Sequence, residues 1–293
     1  MLSRRSFLGV AAGACIAACG APGSPVRIRL AAGERAGLYY AFATLLSEAA
    51  AKGARLRIAP IATAGSVDNL ELLASGKADL ALSLMDSITP EAKVRAISRV
   101  YENYFQLAVR TDSSIRSLAD LRGARINLGA QGSGAASTGA RMLATAGLDR
   151  GGDVTVTHLR LVPAVQSVLT GGADALLWAG GVPTPALQDP GLRLIDLSSA
   201  LKPLRSKYGA VYDSVRIPGA EVETIGVANL LLSAPSLSRS TASSLVRLLV
   251  DHAADLVPAE TLGTQFLDIR SMIGTGSIPL HPGAADAFQS LHG

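Results

Sequence analysis

The sequence predicts an α/β protein of two similar lobes with a ligand-binding cleft between them. Segments with the patterns of strands and of helices alternate along the chain, which is typical of parallel sheets covered by helices. The alternation restarts after residue 109, and the chain returns to the first pattern near residue 224. A short sequence also recurs, because LASGKADL at 73–80 and LTGGADA at 169–175 each give a helix end, a glycine turn, an aspartate and an apolar strand. Clefts between lobes are common sites for small ligands.

The first lobe is predicted to comprise residues 26–109 and 224–293. Alternating apolar and polar residues in VRIRLAA indicate its first strand, and the amphipathic, alanine-rich segment that ends before Gly53 indicates its first helix. The remaining elements follow from the same two patterns. The predicted strands are 26–32, 56–61, 80–84, 105–109 and 224–232, and the predicted helices are 38–52, one after the turn at 63–69, 240–255 and a short one near residue 285.

The second lobe is predicted over residues 110–223. Its main helix begins at Gly134 in a turn rich in glycine and serine, and it ends at Gly147. The predicted strands are 124–128, 154–159 and 175–178, and the predicted helices are 117–121, 134–146 and 165–170.

Composition excludes several classes of protein. The chain has 293 residues and 48% hydrophobic residues, which is enough for a sizeable core and excludes a disordered chain. Charged residues make up 17%, the formal net charge is +4, and no run of basic residues is longer than two. A nucleic-acid-binding surface is therefore not expected.

The first residues have the pattern of an export signal. MLSRRSFLGVAAGACIAACG has a positive start and an apolar stretch too short to span a bilayer, so residues 1–18 are predicted to be a signal peptide. Arg4 and Arg5 resemble a twin-arginine motif, although a general secretory signal fits equally well. Ile16 to Cys19 resembles a bacterial lipobox, which predicts lipidation of Cys19. Residues 19–25 are then a short tether, and the protein is predicted to be periplasmic and anchored to a membrane by lipid.

Enzyme motifs are incomplete or missing in this sequence. Gly134 and Gly139 have phosphate-loop spacing without the required lysine, and Ser199 to Lys202 matches S-x-x-K without its companion motifs. The histidines share no metal-ligand spacing. We therefore expect no catalytic residue, metal or cofactor. An exported hydrolase that uses Ser133 and the distant His158 is a less favoured alternative.

Three turns rich in glycine and hydroxyl residues each follow a predicted strand and begin a predicted helix. They lie at residues 33–40, 63–69 and 129–138. Helix N-termini present unpaired N–H groups and partial positive charge, and the carboxyl ends of parallel strands meet in one crevice. Each turn alone is compatible with an ordinary helix cap. Together they predict a shared site for a carboxylate.

Six short motifs in order resemble the TAXI-type solute-binding proteins of tripartite ATP-independent periplasmic (TRAP) transporters. The resemblance covers nearly the whole mature chain, and each motif alone is weak. The motifs are GLYY at 37–40, TAGSVDN at 63–69, DLRG at 120–123, GAQGSG at 129–134, GADA at 172–175 and PLHPGA at 279–284.

The resemblance implies a periplasmic-binding-protein fold of the type II kind. It also implies that the lobes close over a small organic acid, such as glutamate or a related carboxylate, and deliver it to TRAP permease subunits in the membrane. The ligand-binding residues implied by the motifs are Tyr39, Ser66, Asn69, Ser133 and Gly134.

Three further residues are candidates for ligand contacts. Arg35 is a candidate partner for a ligand carboxylate and Glu34 for a ligand amino group, or both are solvated surface charges. Trp178 is either a stacking surface in the pocket or a core residue at a strand end. The family usually has small or hydroxyl residues where Glu34 and Arg35 stand. A lipoprotein that senses a ligand for a signalling partner is the alternative function.

Overall fold

The computed structural model describes residues 24–53, 55–258 and 267–292. The predicted signal peptide and the lipidation of Cys19 lie outside these residues and stay predictions. Within the described ranges, no helix combines the length and the apolar character that crossing a bilayer requires.

Strands and helices alternate as the sequence predicts. The described strands are β1 (Val26–Ala31), β2 (Leu56–Ile61), β3 (Leu80–Leu84), β4 (Arg95–Arg110), β5 (Arg125–Asn127), β6 (Thr155–Thr157), β7 (Ala175–Gly180), β8 (Leu192–Ile195), β9 (Tyr212–Ile217) and β10 (Val222–Ser233). The described α-helices are α1 (Leu38–Lys52), α2 (Ser66–Ala74), α3 (Gly134–Thr145), α4 (Leu161–Leu169), α5 (Ser198–Tyr208), α6 (Arg239–Asp251), α7 (Ile269–Met272) and α8 (Pro282–His292).

One continuous sheet contains two equivalent groups of parallel strands. The order is β2-β1-β3-β10-β4-β7-β5-β6, with β8 paired to β4 and β9 paired to β10. In lobe 1, β1 lies between β2 and β3 and is parallel to both. In lobe 2, β5 lies between β6 and β7 in the same way. The antiparallel strands β4 and β10 connect the two groups.

The recurring sequence corresponds to a repeated structure. The backbone N–H and Nε of Arg29 donate to Asp79 Oδ2 at 2.8 and 3.0 Å, and its Nη2 donates to Oδ1 at 2.8 Å. Arg125 makes the same three bonds to Asp174, at 2.8, 3.1 and 2.8 Å. Each pair stands one residue before the first paired positions of its two parallel strands. The two lobes are therefore built on equivalent β–α–β–α–β units.

The long strands β4 and β10 pass from one lobe to the other. β4 pairs with β10 up to Tyr104 and with β7 from Tyr104 onward. β10 pairs with β9 as far as Val227 and with β3 from Asn229. Pairing partners thus change a few residues away from 109 and 224, and those lobe boundaries stay a prediction.

Each lobe has its own apolar core. The first core joins α1, α6 and α8 to the sheet and includes the buried Phe42 and Leu46. The second joins α3 and α5 to the sheet and includes Phe105 and Tyr212. Burying one such side chain contributes about 1.5–3 kcal/mol, so each lobe has a substantial apolar contribution to its own stability.

Of the strands and α-helices described above, four elements and most of a fifth are absent from the sequence prediction. β4 begins at Arg95 rather than 105, because the polar residues in SRVYENYFQ hide a strand that is buried on both faces. α5, which contains Pro203, was not predicted, and neither were β8, β9 and α7. α5, β8 and β9 belong to lobe 2, β4 connects the lobes, and α7 belongs to lobe 1.

Candidate functional site

The three predicted turns meet at one cavity between the lobes. Its volume is about 50 Å³, and it lies at the carboxyl ends of the parallel strands, where α1, α2 and α3 begin. The residues that line it are Gly33, Glu34, Gly37, Leu38, Tyr39, Ala64, Gly65, Ser66, Leu84, Asn103, Ser133, Gly134, Ala135, Trp178 and Ala179. Six of the eight predicted ligand-binding residues are among them, and Arg35 and Asn69 are not.

The start of α2 is capped by the other lobe. The backbone N–H groups of Val67 and Asp68 donate to the carbonyl oxygen of Gly132 at 3.1 and 3.2 Å. Gly132 has φ of 84°, a conformation that favours glycine, and a Cβ there would lie 2.1 Å from an Asp68 carboxylate oxygen. The two lobes are therefore in direct contact across the cleft.

Gly134 brings the two lobes into van der Waals contact beside the cavity. A Cβ at this position would lie 2.5 Å from Leu84 Cδ1 and 2.7 Å from Ser66 Oγ. Gly65 faces Ser133 similarly, since its Cβ would lie 3.3 Å from the Ser133 Cα. Only glycine allows this separation of the turns.

Ser66 and Tyr39 form a buried hydrogen-bonded chain. Ser66 Oγ accepts from the Leu84 N–H at 3.0 Å and lies 3.1 Å from Tyr39 Oη, which donates to Asn229 Oδ1 at 2.5 Å. Burial raises the pKa of Tyr39 well above its usual value, so the hydroxyl remains protonated. Both side chains line the cavity while they hold α1, α2 and β10 together.

Asn69 holds the scaffold and does not line the cavity. Its side chain is fully buried, donates to Leu82 O at 2.7 Å and to Ala32 O, and accepts from Thr63 Oγ1 at 2.6 Å. These bonds join α2 to the ends of β1 and β3. The position of α2, and hence of Ser66, depends on this amide.

Two buried oxygens in the cavity wall have no hydrogen-bond partner among the described residues. They are Glu34 Oε1 and Asn103 Oδ1, on side chains of residues that are 7% and 5% exposed. Burial raises the pKa of Glu34, and the N–H of Leu161 and the charge of Arg160 oppose that rise. Both unpartnered atoms are acceptors, so they can accept hydrogen bonds from a donor group of a ligand in the cavity.

Asn103 is absent from the sequence prediction. It lies on β4 within a run of polar residues, and only the pairing of β4 with β10 places it beside the cavity. Trp178 also lines the cavity and is 8% exposed. Trp178 packs against the apolar cluster around α4 as well, so it is at once a core residue and part of the wall.

Arg35 points away from the cavity. It is exposed, donates to Tyr40 Oη at 2.7 Å and lies 4.9 Å from the centre of the Tyr40 ring. Of the two adjacent charges, only Glu34 therefore lies in the cleft.

A second buried polar cluster joins the end of β3 to lobe 2. Asp86 Oδ2 lies 3.2 Å from Arg141 Nη1 and accepts from Thr138 Oγ1 at 2.5 Å and from Tyr212 Oη at 3.2 Å. Burial raises the pKa of Asp86, and the bonds from Thr138 and Arg141 oppose this. This cluster does not border the cavity and was not predicted from the sequence.

The hydrolase alternative receives no geometric support in the described residues. His158 Nδ1 lies 3.0 Å from Gly129 O, and Ser133 Oγ accepts from the Ala136 N–H at 3.1 Å as the cap of α3. No hydrogen bond joins the two side chains in that part of the chain. Groups of three or more metal-ligating side chains are likewise not found among the residues described.

The family described as NMT1-like matches residues 30–290 of this chain. Among solved structures, a protein of Bordetella bronchiseptica RB50 is 19% identical with a TM-score of 0.55, over 90% of this chain and 89% of that one. A Xanthomonas citri protein bound to ATP is 12% identical with a TM-score of 0.53, over 90% and 95%. An ancestral arginine-binding protein bound to arginine is 17% identical with a TM-score of 0.51, over 78% and 93%.

These likenesses concern the fold. The chain has the two-lobed α/β architecture of periplasmic binding proteins, so the predicted fold is confirmed. At these identities, the small molecules bound to the solved structures carry no information about the molecule that fits this cleft.

Proposed function

This chain belongs to the NMT1-like family, and from that premise and its two-lobed fold we propose that it is an extracytoplasmic solute-binding protein that delivers its ligand to a TRAP transporter permease. The ligand is a small organic acid, held where the turns of the two lobes meet. The six motifs that resemble TAXI-type proteins support the TRAP assignment. The predicted signal peptide and the lipobox at Cys19 support a periplasmic, lipid-anchored location.

The free donors and acceptors of the cavity wall carry the proposal for the ligand. The N–H groups of Gly134 and Ala135, at the start of α3, have no acceptor among the described residues, and both residues line the cavity. A carboxylate satisfies such N–H groups and the positive end of the helix. Glu34 Oε1 and Asn103 Oδ1 require a donor, which an ammonium group provides. The ligand class is therefore an acid that also carries a protonated amine.

The expected result of a ligand screen is binding of an amino acid and weak binding of its analogue without the amine. Loss of an ammonium that contacts two buried oxygens is expected to weaken binding about tenfold or more. Glutamate and glutarate form a suitable pair, because they differ only in the amine. Trp178 is the only tryptophan, so its fluorescence reports binding at the cavity, and calorimetry gives the affinity. If no small acid of either kind binds, the transport function is wrong.

Glu34→Gln is expected to weaken binding of an amino acid about tenfold at neutral pH, since a charge-assisted bond becomes a neutral one. The pKa of Glu34 lies above the ordinary value of 4.5. Affinity for an ammonium ligand is therefore complete above the raised pKa and decreases as the pH falls through it. Calorimetric titrations from about pH 8 to about pH 4 should show this decrease in the native protein and a flatter profile in the variant.

The stability of the unliganded protein provides a control, because Glu34→Gln should raise stability although it lowers affinity. A carboxyl group whose pKa is raised by folding contributes stability that is present below its ordinary pKa and is lost as the pH rises through the raised value. Glu34→Gln should therefore stabilise the unliganded protein at neutral pH while it weakens binding. A variant that loses stability and affinity together would contradict the role of Glu34 in the ligand site.

A further inference from the structure

The ends of the two lobes that face away from the cleft differ sharply in charge. In the repeated units, Arg29 is equivalent to Arg125, Asp79 to Asp174 and Ala59 to Thr155. This register aligns segment 24–29 with 120–125, segment 52–57 with 148–153 and segment 75–79 with 170–174. The three lobe 1 segments contain six basic residues and one acidic residue, whereas their lobe 2 equivalents contain three basic and four acidic residues. The positive charge is thus a property of lobe 1 and not of the fold.

The six basic residues of lobe 1 form a surface that we term the basic end, made of Arg27, Arg29, Lys52, Arg55, Arg57 and Lys77. All six are exposed. Arg29 pairs with Asp79 and Lys52 with Asp255, at 2.8 and 3.0 Å. The other four form no ion pair within the described residues. In lobe 2, by contrast, both Arg122 and Arg125 are paired with aspartates.

Cross-strand geometry concentrates this charge. Arg27 lies directly opposite Arg57 in the parallel pair β1–β2, and the Val26 N–H donates to the Arg55 carbonyl at 2.8 Å. Like charges placed side by side without a counter-ion repel each other. Contact with an extended anionic surface relieves this repulsion and is therefore favourable.

The chain enters the body of the protein at the basic end. Val26 is 47% exposed and begins β1, seven positions after the predicted lipidation site Cys19. Seven residues span at most about 25 Å even when fully extended. An acyl chain on Cys19 would therefore hold the basic end close to the membrane, while the cleft lies about 20 Å away, at the other end of β1.

We propose that the basic end rests on the anionic lipid headgroups of the membrane that anchors the chain. Each basic residue near an anionic surface adds to the attraction, and the attraction disappears within a short distance and at high salt. This proposal shares the lipid anchor with the proposed function and involves no residue of the cleft.

Hydrogen–deuterium exchange of the full acylated chain in vesicles tests the proposal. Vesicles of phosphatidylcholine alone are compared with vesicles that contain about 30% phosphatidylglycerol, at about 50 mM and about 500 mM salt. Amides in 52–57 and 75–79 should exchange severalfold more slowly on the anionic vesicles at low salt, and the difference should be lost at high salt. The equivalent amides in 148–153 and 170–174 should not change.

A pair of double variants with equal change in charge serves as the control. Arg55→Glu with Lys77→Glu should abolish the protection, whereas Arg150→Glu with Lys202→Glu, at exposed positions of lobe 2, should leave it unchanged. Equal exchange on both kinds of vesicle overturns the proposal, as does a chain that is not retained on vesicles. Protection that appears only when the permease is added would assign the surface to a protein partner and would also overturn it. Ligand affinity should be the same in all variants, which separates this test from that of the cleft.

Discussion

Gly134→Val is expected to reduce ligand affinity about 100-fold while both lobes remain folded. The Cβ of any larger residue would lie 2.5 Å from Leu84 Cδ1 and 2.7 Å from Ser66 Oγ, so the turn before α3 can no longer approach α2. A ligand held by one lobe loses its hydrogen bonds to the other. Two charge-assisted bonds of about 1.5 kcal/mol each correspond to a factor of this size. Calorimetry with the ligand identified in the screen measures the loss.

Gly151→Val is the matched control for this variant. Gly151 also belongs to lobe 2, and no atom lies within 4 Å of the position that its Cβ would occupy. The same substitution there should leave affinity unchanged. Circular dichroism and urea unfolding establish that both variants are folded. Native affinity in the Gly134 variant would show that binding does not require the two lobes to meet at this point.

Asn69→Ala is expected to lower stability, and Asn103→Ala is expected to lower ligand affinity, although both asparagines are buried. Loss of the Asn69 amide leaves the Ala32 and Leu82 carbonyls and the Thr63 hydroxyl without their partner, which should cost about 2–4 kcal/mol of stability. Asn103 Oδ1 has no partner to lose, so its removal should change stability by less than about 1 kcal/mol. Asn103→Ala should instead weaken binding of an amine-bearing acid about tenfold.

The shift in urea midpoint and the calorimetric affinity, measured on both variants, separate these roles. Glutarate provides an internal check, because an acid without an amine gains little from Asn103. If Asn69→Ala loses binding without loss of stability, its amide contacts the ligand directly and its role as a scaffold is wrong.

Local patterns were sufficient for much of lobe 1. The bounds of α1, β2 and β3 agree with the prediction, because each element is bordered by glycine or by a clear change of period. The repeated sequence, with Asp79 in one copy and Asp174 in the other, also predicts equivalent units in the two lobes. Lobe 2 and the connecting strand β4 were predicted less well, since a proline within α5 and polar residues in β4 contradict the patterns of their elements.

The site was predictable where turn chemistry determines it. Ser66, Ser133 and Gly134 follow from glycine- and hydroxyl-rich turns at helix starts, which converge for topological reasons. Asn103 and Asp86 could not be recognised in this way. A polar residue in a strand pattern predicts exposure, and only the pairing of β4 with β10 buries Asn103. Asp86 follows β3 and is buried by contacts with Thr138, Arg141 and Tyr212 of lobe 2. The separation of Glu34 from Arg35 likewise depends on the path of one loop.

The contact between the Gly132 carbonyl and the start of α2 affects the apparent affinity of the protein for its solute. It satisfies two N–H groups at the start of α2 that would otherwise lack a partner, so this contact favours the closed arrangement of the lobes even without a ligand. A molecule that closes without a ligand cannot bind one, so the apparent affinity decreases in proportion to the fraction of molecules that are still open. The strength of this bifurcated hydrogen bond therefore sets the balance between closure without a ligand and apparent affinity for the solute.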